Sequence, residues 1–135
     1  MSRVAFGCLL IIFSGFFALN SAAEAETINA RSGRTTQIAN LTGWDKNCRG
    51  TGYAEVVILK KPTYGVVAVK RRRSVAIPRR ATTGNTGRCA GRKVPGMIVD
   101  YRSNRGYQGW DSVVFKARPA NSNRFYRFRA RIRVR

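Results

Sequence analysis

The chain closes on Arg124-Phe125-Tyr126-Arg127-Phe128-Arg129-Ala130-Arg131-Ile132-Arg133-Val134-Arg135. From Tyr126 onward, apolar residues and arginines alternate without a break. Period two places Tyr126, Phe128, Ala130, Ile132 and Val134 on one face of a β-strand and the arginines on the other. Strand rise spaces those arginines about 7 Å apart, so the five of them form a ladder about 27 Å long. The apolar face, with Tyr126 and Phe128 on it, is read as core.

Working back from this strand, residues 112–117 and 97–101 are β-branched and aromatic, with turn-rich segments at 103–109 and 119–123. Residues 54–60 form another apolar strand, stopped by Lys61-Pro62-Thr63-Tyr64-Gly65, where Pro and Gly supply turn chemistry. Residues 66–69 and 74–77 read as two strands joined at a hairpin tip by Lys70-Arg71-Arg72-Arg73, and Pro78 ends the second. A loop fills 79–95, and residues 34–39 are the earliest candidate strand. That makes about seven strands and no amphipathic helix downstream of the N-terminal apolar run. The expectation is a single all-β domain, sandwich or barrel, over residues 26–135.

Three of these stretches share an order with a known module. Lys61-Pro62-Thr63-Tyr64-Gly65-Val66, then Val99-Asp100-Tyr101, then Gly106-Tyr107-Gln108-Gly109-Trp110-Asp111-Ser112-Val113-Val114-Phe115, then a final alternating strand, resembles the bacterial cadherin-like, immunoglobulin-type repeat. The resemblance runs from about Val56 to Val134. It implies an immunoglobulin-like β-sandwich, an adhesive or structural role, and no catalytic residues. This chain departs from the pattern in being one basic copy rather than an acidic tandem array, and in carrying a cysteine pair.

The charge balance is lopsided. Among 135 residues there are 26 Lys and Arg against 6 Asp and Glu, no histidine, and a formal net charge of +20. The length suits one small domain, and 44% hydrophobic content argues against disorder throughout. Lacking histidine, the chain has no His-dependent triad and none of the commoner zinc sites. The excess charge points to anionic partners. Arginine greatly outnumbers lysine, which suits bidentate recognition of phosphate or carboxylate.

Residues 1–25 read as a secretory signal: Arg3, an apolar run over 4–19, and Ala23 and Ala25 framing a cleavage site. The rival reading, a membrane anchor, needs about 20 apolar residues, and this run is shorter. Cleavage after Ala25 removes Cys8, Arg3 and Glu24 and leaves the net charge at +20. Periplasmic or extracellular localisation is therefore expected. Cys48 and Cys89 would there form one disulfide, stabilising the fold by up to about 4 kcal/mol. The alternative, a reactive thiol pair, lacks a C-x-x-C spacing.

Candidate catalytic groups are absent. The carboxylates Glu26, Asp45, Glu55, Asp100 and Asp111 are scattered, and Asp111 is read as a turn residue accepting backbone N–H groups. No metal site, phosphate-binding loop or cofactor is expected. The informative groups are basic: Lys70, Arg71, Arg72 and Arg73 at the tip, Arg79 and Arg80 after it, Arg88 and Arg92 beside Cys89, and Arg127, Arg129, Arg131 and Arg133 on the last strand. The leading expectation is a non-catalytic module binding an anionic macromolecule or envelope component: lipopolysaccharide, an acidic glycan or nucleic acid. The alternative is a structural or adhesion protein that meets a protein partner through a sheet edge, with charge used for steering. The plainer reading of the final arginines alone is the solvent face of an edge-exposed sheet, where charge discourages edge-to-edge aggregation. Trp44 and Trp110, near turns, are either exposed ligand contacts or edge-of-core packing, and packing is preferred. Phe125, Tyr126 and Phe128 between arginines resemble a stacking platform for single strands, but Tyr126 and Phe128 fall on the core face.

Overall fold

The C-terminal alternation is realised as a strand with Ala130, Ile132 and Val134 buried and Arg127, Arg129, Arg131 and Arg133 exposed. The computed structural model describes residues 27–79 and 87–135; residues 1–25, read above as a signal, and Arg80 lie outside the described residues. The described strands are β1 (Thr27–Ala30), β2 (Thr35–Thr42), β3 (Glu55–Lys60), β4 (Gly65–Ala76), β5 (Lys93–Ser103), β6 (Gly109–Arg118) and β7 (Tyr126–Val134), with a short 3-10 turn at Gly87–Cys89. They form a four-stranded sheet in the order β1-β7-β6-β3 and a three-stranded sheet in the order β2-β5-β4. Every pairing is antiparallel except that of β1 with β7.

These neighbours are those of an immunoglobulin-like sandwich, with β1 joining β7 instead of β2. The inward faces of both sheets build one core. Val99 and Tyr101 of β5 meet Val113 and Phe115 of β6 and Ala130, Ile132 and Val134 of β7. Each such aliphatic side chain contributes about 1.5–3 kcal/mol on burial. Phe128 packs against this cluster and stacks on Phe115 at 5.2 Å, so its reading as core holds.

The strand count holds, but the strands differ. The expected hairpin tip at residues 70–73 does not exist, because β4 runs straight through it. No Gly, Pro, Asn or Asp lies between Val66 and Ile77 to reverse the chain. Pairing with β5 continues to Arg72 opposite Gly96, skips Arg73 and Ser74 in a bulge, and resumes at Val75 opposite Val94. As an edge strand β4 leaves its cations in water, so their charge does not end it. The lost strand is replaced by β1. The last strand is an edge only in its first half: β6 pairs along all of β7, but β1 reaches only Arg131 to Val134, so Arg127 and Arg129 stand on a free rim while Arg131 and Arg133 do not.

The three sequence motifs converge on one carboxylate. Asp111 lies within β6, not in a turn, and is buried. Its oxygens accept the Tyr101 hydroxyl at 2.9 Å, the Thr63 and Tyr64 backbone N–H groups at 2.9 and 3.0 Å, and the Ser112 N–H at 2.9 Å. Asp111 thus ties the β3–β4 turn to the centre of both sheets. Gly65, just past the turn, has no room for a side chain: a Cβ there would lie 2.5 Å from the Arg102 carbonyl oxygen and 2.8 Å from the Tyr101 ring.

A second, smaller core caps the opposite end of the sheets. Cys48 and Cys89 are disulfide-bonded and buried with Ile77 and Val94, and Trp44 packs against them as expected. Asp45 holds the turn before Cys48 by accepting the N–H groups of Asn47 and Arg49 at 2.8 and 2.9 Å. These bonds, the Arg49 backbone bond foremost, lower the Asp45 pKa.

Candidate anion-binding face

Cross-strand register decides which side chains share the outward face of the four-stranded sheet, because paired residues lie on the same side. Arg127 is opposite Lys116, Arg129 opposite Val114, Arg131 opposite Ser112, and Arg133 opposite Trp110. On the flanks, Lys60 of β3 pairs with Val114, while Thr27 and Asn29 of β1 pair with Arg131 and Arg133. The result is a cationic face with Arg127, Arg129, Arg131 and Arg133 in one exposed row along β7. From Arg127 to Arg133 the ladder is about 20 Å long.

Among the described residues, none of these four arginines is in an ion pair. Glu55, at the corner of the face, is held by Arg118 at 2.6 Å. Neighbouring guanidinium groups about 7 Å apart repel by about 0.6 kcal/mol each even in water. An anion laid along the ladder removes that repulsion.

Each end of the ladder has an aromatic ring. Trp110 is 46% exposed, with the Arg131 and Arg133 guanidinium carbons 4.8 and 5.2 Å from its ring centre. Phe125 is 39% exposed, with Lys116 Nζ at 4.5 Å and the Arg118 guanidinium carbon at 5.5 Å. Trp110 is therefore not a packing residue. With Asp111, Val113, Phe115 and Ala117 turned inward, the odd-numbered residues of β6 are buried and Trp110 and Lys116 face out. Taking Asp111 as a turn residue hides this alternation, which the sequence otherwise contains. Beyond Trp110, Tyr64 stacks on Tyr107 at 4.3 Å, and the Tyr107 hydroxyl donates to the Trp110 carbonyl at 2.6 Å.

The remaining basic candidates lie elsewhere. Lys70, Arg71, Arg72 and Arg73 belong to the edge strand of the other sheet. Lys70 pairs with Asp100 at 2.9 Å, and Arg71 lies over the Tyr53 ring at 5.2 Å. Arg88 and Arg92 are exposed beside the disulfide, where Arg88 donates to the Lys46 carbonyl at 2.6 Å. Arg79 is exposed just past β4. The structure thus separates the candidates into the β7 ladder, the β4 edge and the disulfide cap.

The sandwich also has an open seam. β1 pairs only with Arg131 to Val134, so the first half of β7 has no strand beside it, and β2 is an edge strand. Between them lies a cleft of about 370 Å³ lined by Ile38, Asn40, Leu41, Trp44, Tyr126 and Phe128 among others. Asn40 donates through Nδ2 to the Ala76 carbonyl, while its buried Oδ1 has no partner.

Among the described residues no cluster of three or more metal-ligating side chains occurs, and no helix is long and apolar enough to cross a membrane. No family model and no curated protein sequence matches the chain. Among solved structures it is similar to the solution structure of amebosin, at 17% identity and a TM-score of 0.45, over 81% of this chain and 88% of that one. A likeness that distant transfers no function.

Proposed function

We propose that this chain is an exported, non-catalytic binding module that holds an anionic polymer or envelope component against the outer face of its four-stranded sheet. One observation carries the reading: four exposed arginines in register on one face of the sheet, none of them in an ion pair among the described residues. Lipopolysaccharide phosphates, acidic glycans and nucleic acid all present the charge this ladder fits. The apolar run over residues 4–19, the small-residue segment after it and the Cys48–Cys89 bridge support export to the periplasm or beyond. The module is read as a single basic variant of the cadherin-like repeat.

Retention on a heparin column under rising salt tests this. Replacing Arg127, Arg129, Arg131 and Arg133 by serine should shift elution to much lower salt, and a shift no larger than that of Arg71, Arg72 and Arg73 replaced by serine would refute the assignment. The open seam favours a second reading, a protein partner adding an extended strand beside β2. Salt-insensitive capture of one envelope protein, lost when Leu41 is replaced by Lys, would favour that reading over the first.

A further inference from the structure

The geometry points to single-stranded nucleic acid as the polymer this face takes, with phosphates on the arginine ladder and bases stacked on Trp110 and Phe125. This inference rests on the anion-binding reading of the same face and narrows it to one ligand class.

Three features select a single strand. The first is spacing. Arginines along β7 recur about every 7 Å in a nearly straight row, whereas one strand of a duplex advances only about 3.4 Å along its axis per nucleotide, because its phosphates wind around that axis and depart from a straight row. An unstacked, extended strand separates its phosphates to roughly the arginine spacing, so each guanidinium meets one phosphate. The second is shape. Duplex grooves admit a helix or a two-stranded ribbon, and this face is the broad side of a four-stranded sheet, with β6 alongside all of β7 and β1 alongside Arg131 to Val134. It has nothing that enters a groove.

The third feature is the pair of exposed rings. Trp110 shares its row with Arg133, and Phe125 lies beside Lys116, which shares its row with Arg127. The rings therefore bracket the ladder at both ends, about 20 Å apart, a span of about four nucleotides at one per arginine. Ring faces take bases of any sequence, and the guanidinium planes over Trp110 extend the stacking surface. A polysaccharide instead needs many hydrogen-bond acceptors for its hydroxyls, and beside the ladder only Thr27, Asn29 and Ser112 among the described residues offer neutral ones. The carboxylate at the corner of this face, Glu55, is held by Arg118. Recognition should be largely indifferent to base sequence, since the arginines are engaged by phosphates and the rings by base faces, which every base has.

The test uses the chain without its signal segment and a fluorescent thymidine oligonucleotide of about eight residues, read by anisotropy, with a duplex of the same length and heparin as competitors. The oligonucleotide is expected to bind more tightly than the duplex and to resist competition by heparin at equal charge. Replacing Trp110 by Ala should weaken oligonucleotide binding by roughly tenfold or more, and clearly more than it weakens heparin binding. Replacing Trp110 by Phe should restore most of the loss. Phe125→Ala lies outside the strands, so it provides the same comparison if Trp110→Ala does not fold. Equal losses for oligonucleotide and heparin, tighter duplex binding, or heparin displacing the oligonucleotide at low excess would each overturn the stacking assignment while leaving the ladder as an anion site. Failure of the wild-type chain to bind any of the three would overturn both.

Discussion

Removing the Asp111 carboxylate should destabilise the fold more than any surface change. Asp111→Ala strands the Tyr101 hydroxyl, on a residue with 0% exposure, and frees the Thr63 and Tyr64 N–H groups from the turn they hold. An unsatisfied buried donor costs about 1–3 kcal/mol, and the two turn donors, which water reaches, about 0.5–1 kcal/mol each. The sum is about 3 kcal/mol, a large part of the 5–15 kcal/mol typical of a domain. Asp111→Asn keeps one acceptor oxygen and turns the other into a donor facing Tyr64 N–H or Thr63 N–H, so about 2 kcal/mol is expected. Tyr101→Phe leaves the carboxylate three partners and should cost about 1–1.5 kcal/mol. Urea unfolding with the disulfide intact measures all three variants, and the Asp111→Ala/Tyr101→Phe double mutant should cost at least 1 kcal/mol less than the sum of the singles. A loss within about 0.5 kcal/mol of wild type for Asp111→Ala, or additive single mutants, would refute the role given to this carboxylate.

Reducing the Cys48–Cys89 bridge, which spans a sequence separation of 41, should lower stability by up to about 4 kcal/mol and the melting temperature with it; thiol titration of the unreduced, unfolded chain should find neither cysteine free. Gly65→Ala forces a methyl group against the Arg102 carbonyl and the Tyr101 ring and should cost about 1–3 kcal/mol in the same unfolding assay. Burial, and then the bond to Asp111, raise the Tyr101 pKa above its ordinary value of 10.0, and desolvation raises that of Tyr107. A folded pKa above the unfolded one means that this stabilisation is complete below about pH 10. It should fall as pH rises further, visible as a lower urea midpoint at pH 11 than at pH 9, and Tyr101→Phe should flatten the drop.

The fold was legible where one face of a strand is buried and the other wet. That condition holds along β7, and alternation there identified the core side chains and the arginine face together. It fails on β4, an edge strand: a run of four cations masks the period, and a charge cluster in sequence looks the same on a strand as at a tip. β1 is too short to show a period and exists through its parallel register with Arg131, Ile132, Arg133 and Val134. The disulfide follows from the cysteine count and the expected export, without geometry. The outward direction of Trp110 is hidden by the reading of Asp111: a carboxylate flanked by turn residues suggests a turn. Only the pairing of β6 with β7 shows Asp111 pointing into the core, which forces Trp110 outward beside Arg131 and Arg133. Arginines distant in sequence look like one cluster in a composition count, and the two sheets part them.

The salt dependence of binding tests the ladder most directly. For a labelled single-stranded polyanion, log K against log salt should fall with a slope near −2.8 if the four arginines of β7 each meet one phosphate, since each contact contributes about −0.7. Replacing Arg129 and Arg131 by serine should reduce that slope to about −1.4, with the unfolding midpoint close to wild type. An unchanged slope in that variant, together with a reduced slope when Arg72 and Arg73 are replaced instead, would contradict the assignment and move the site to the edge of the opposite sheet.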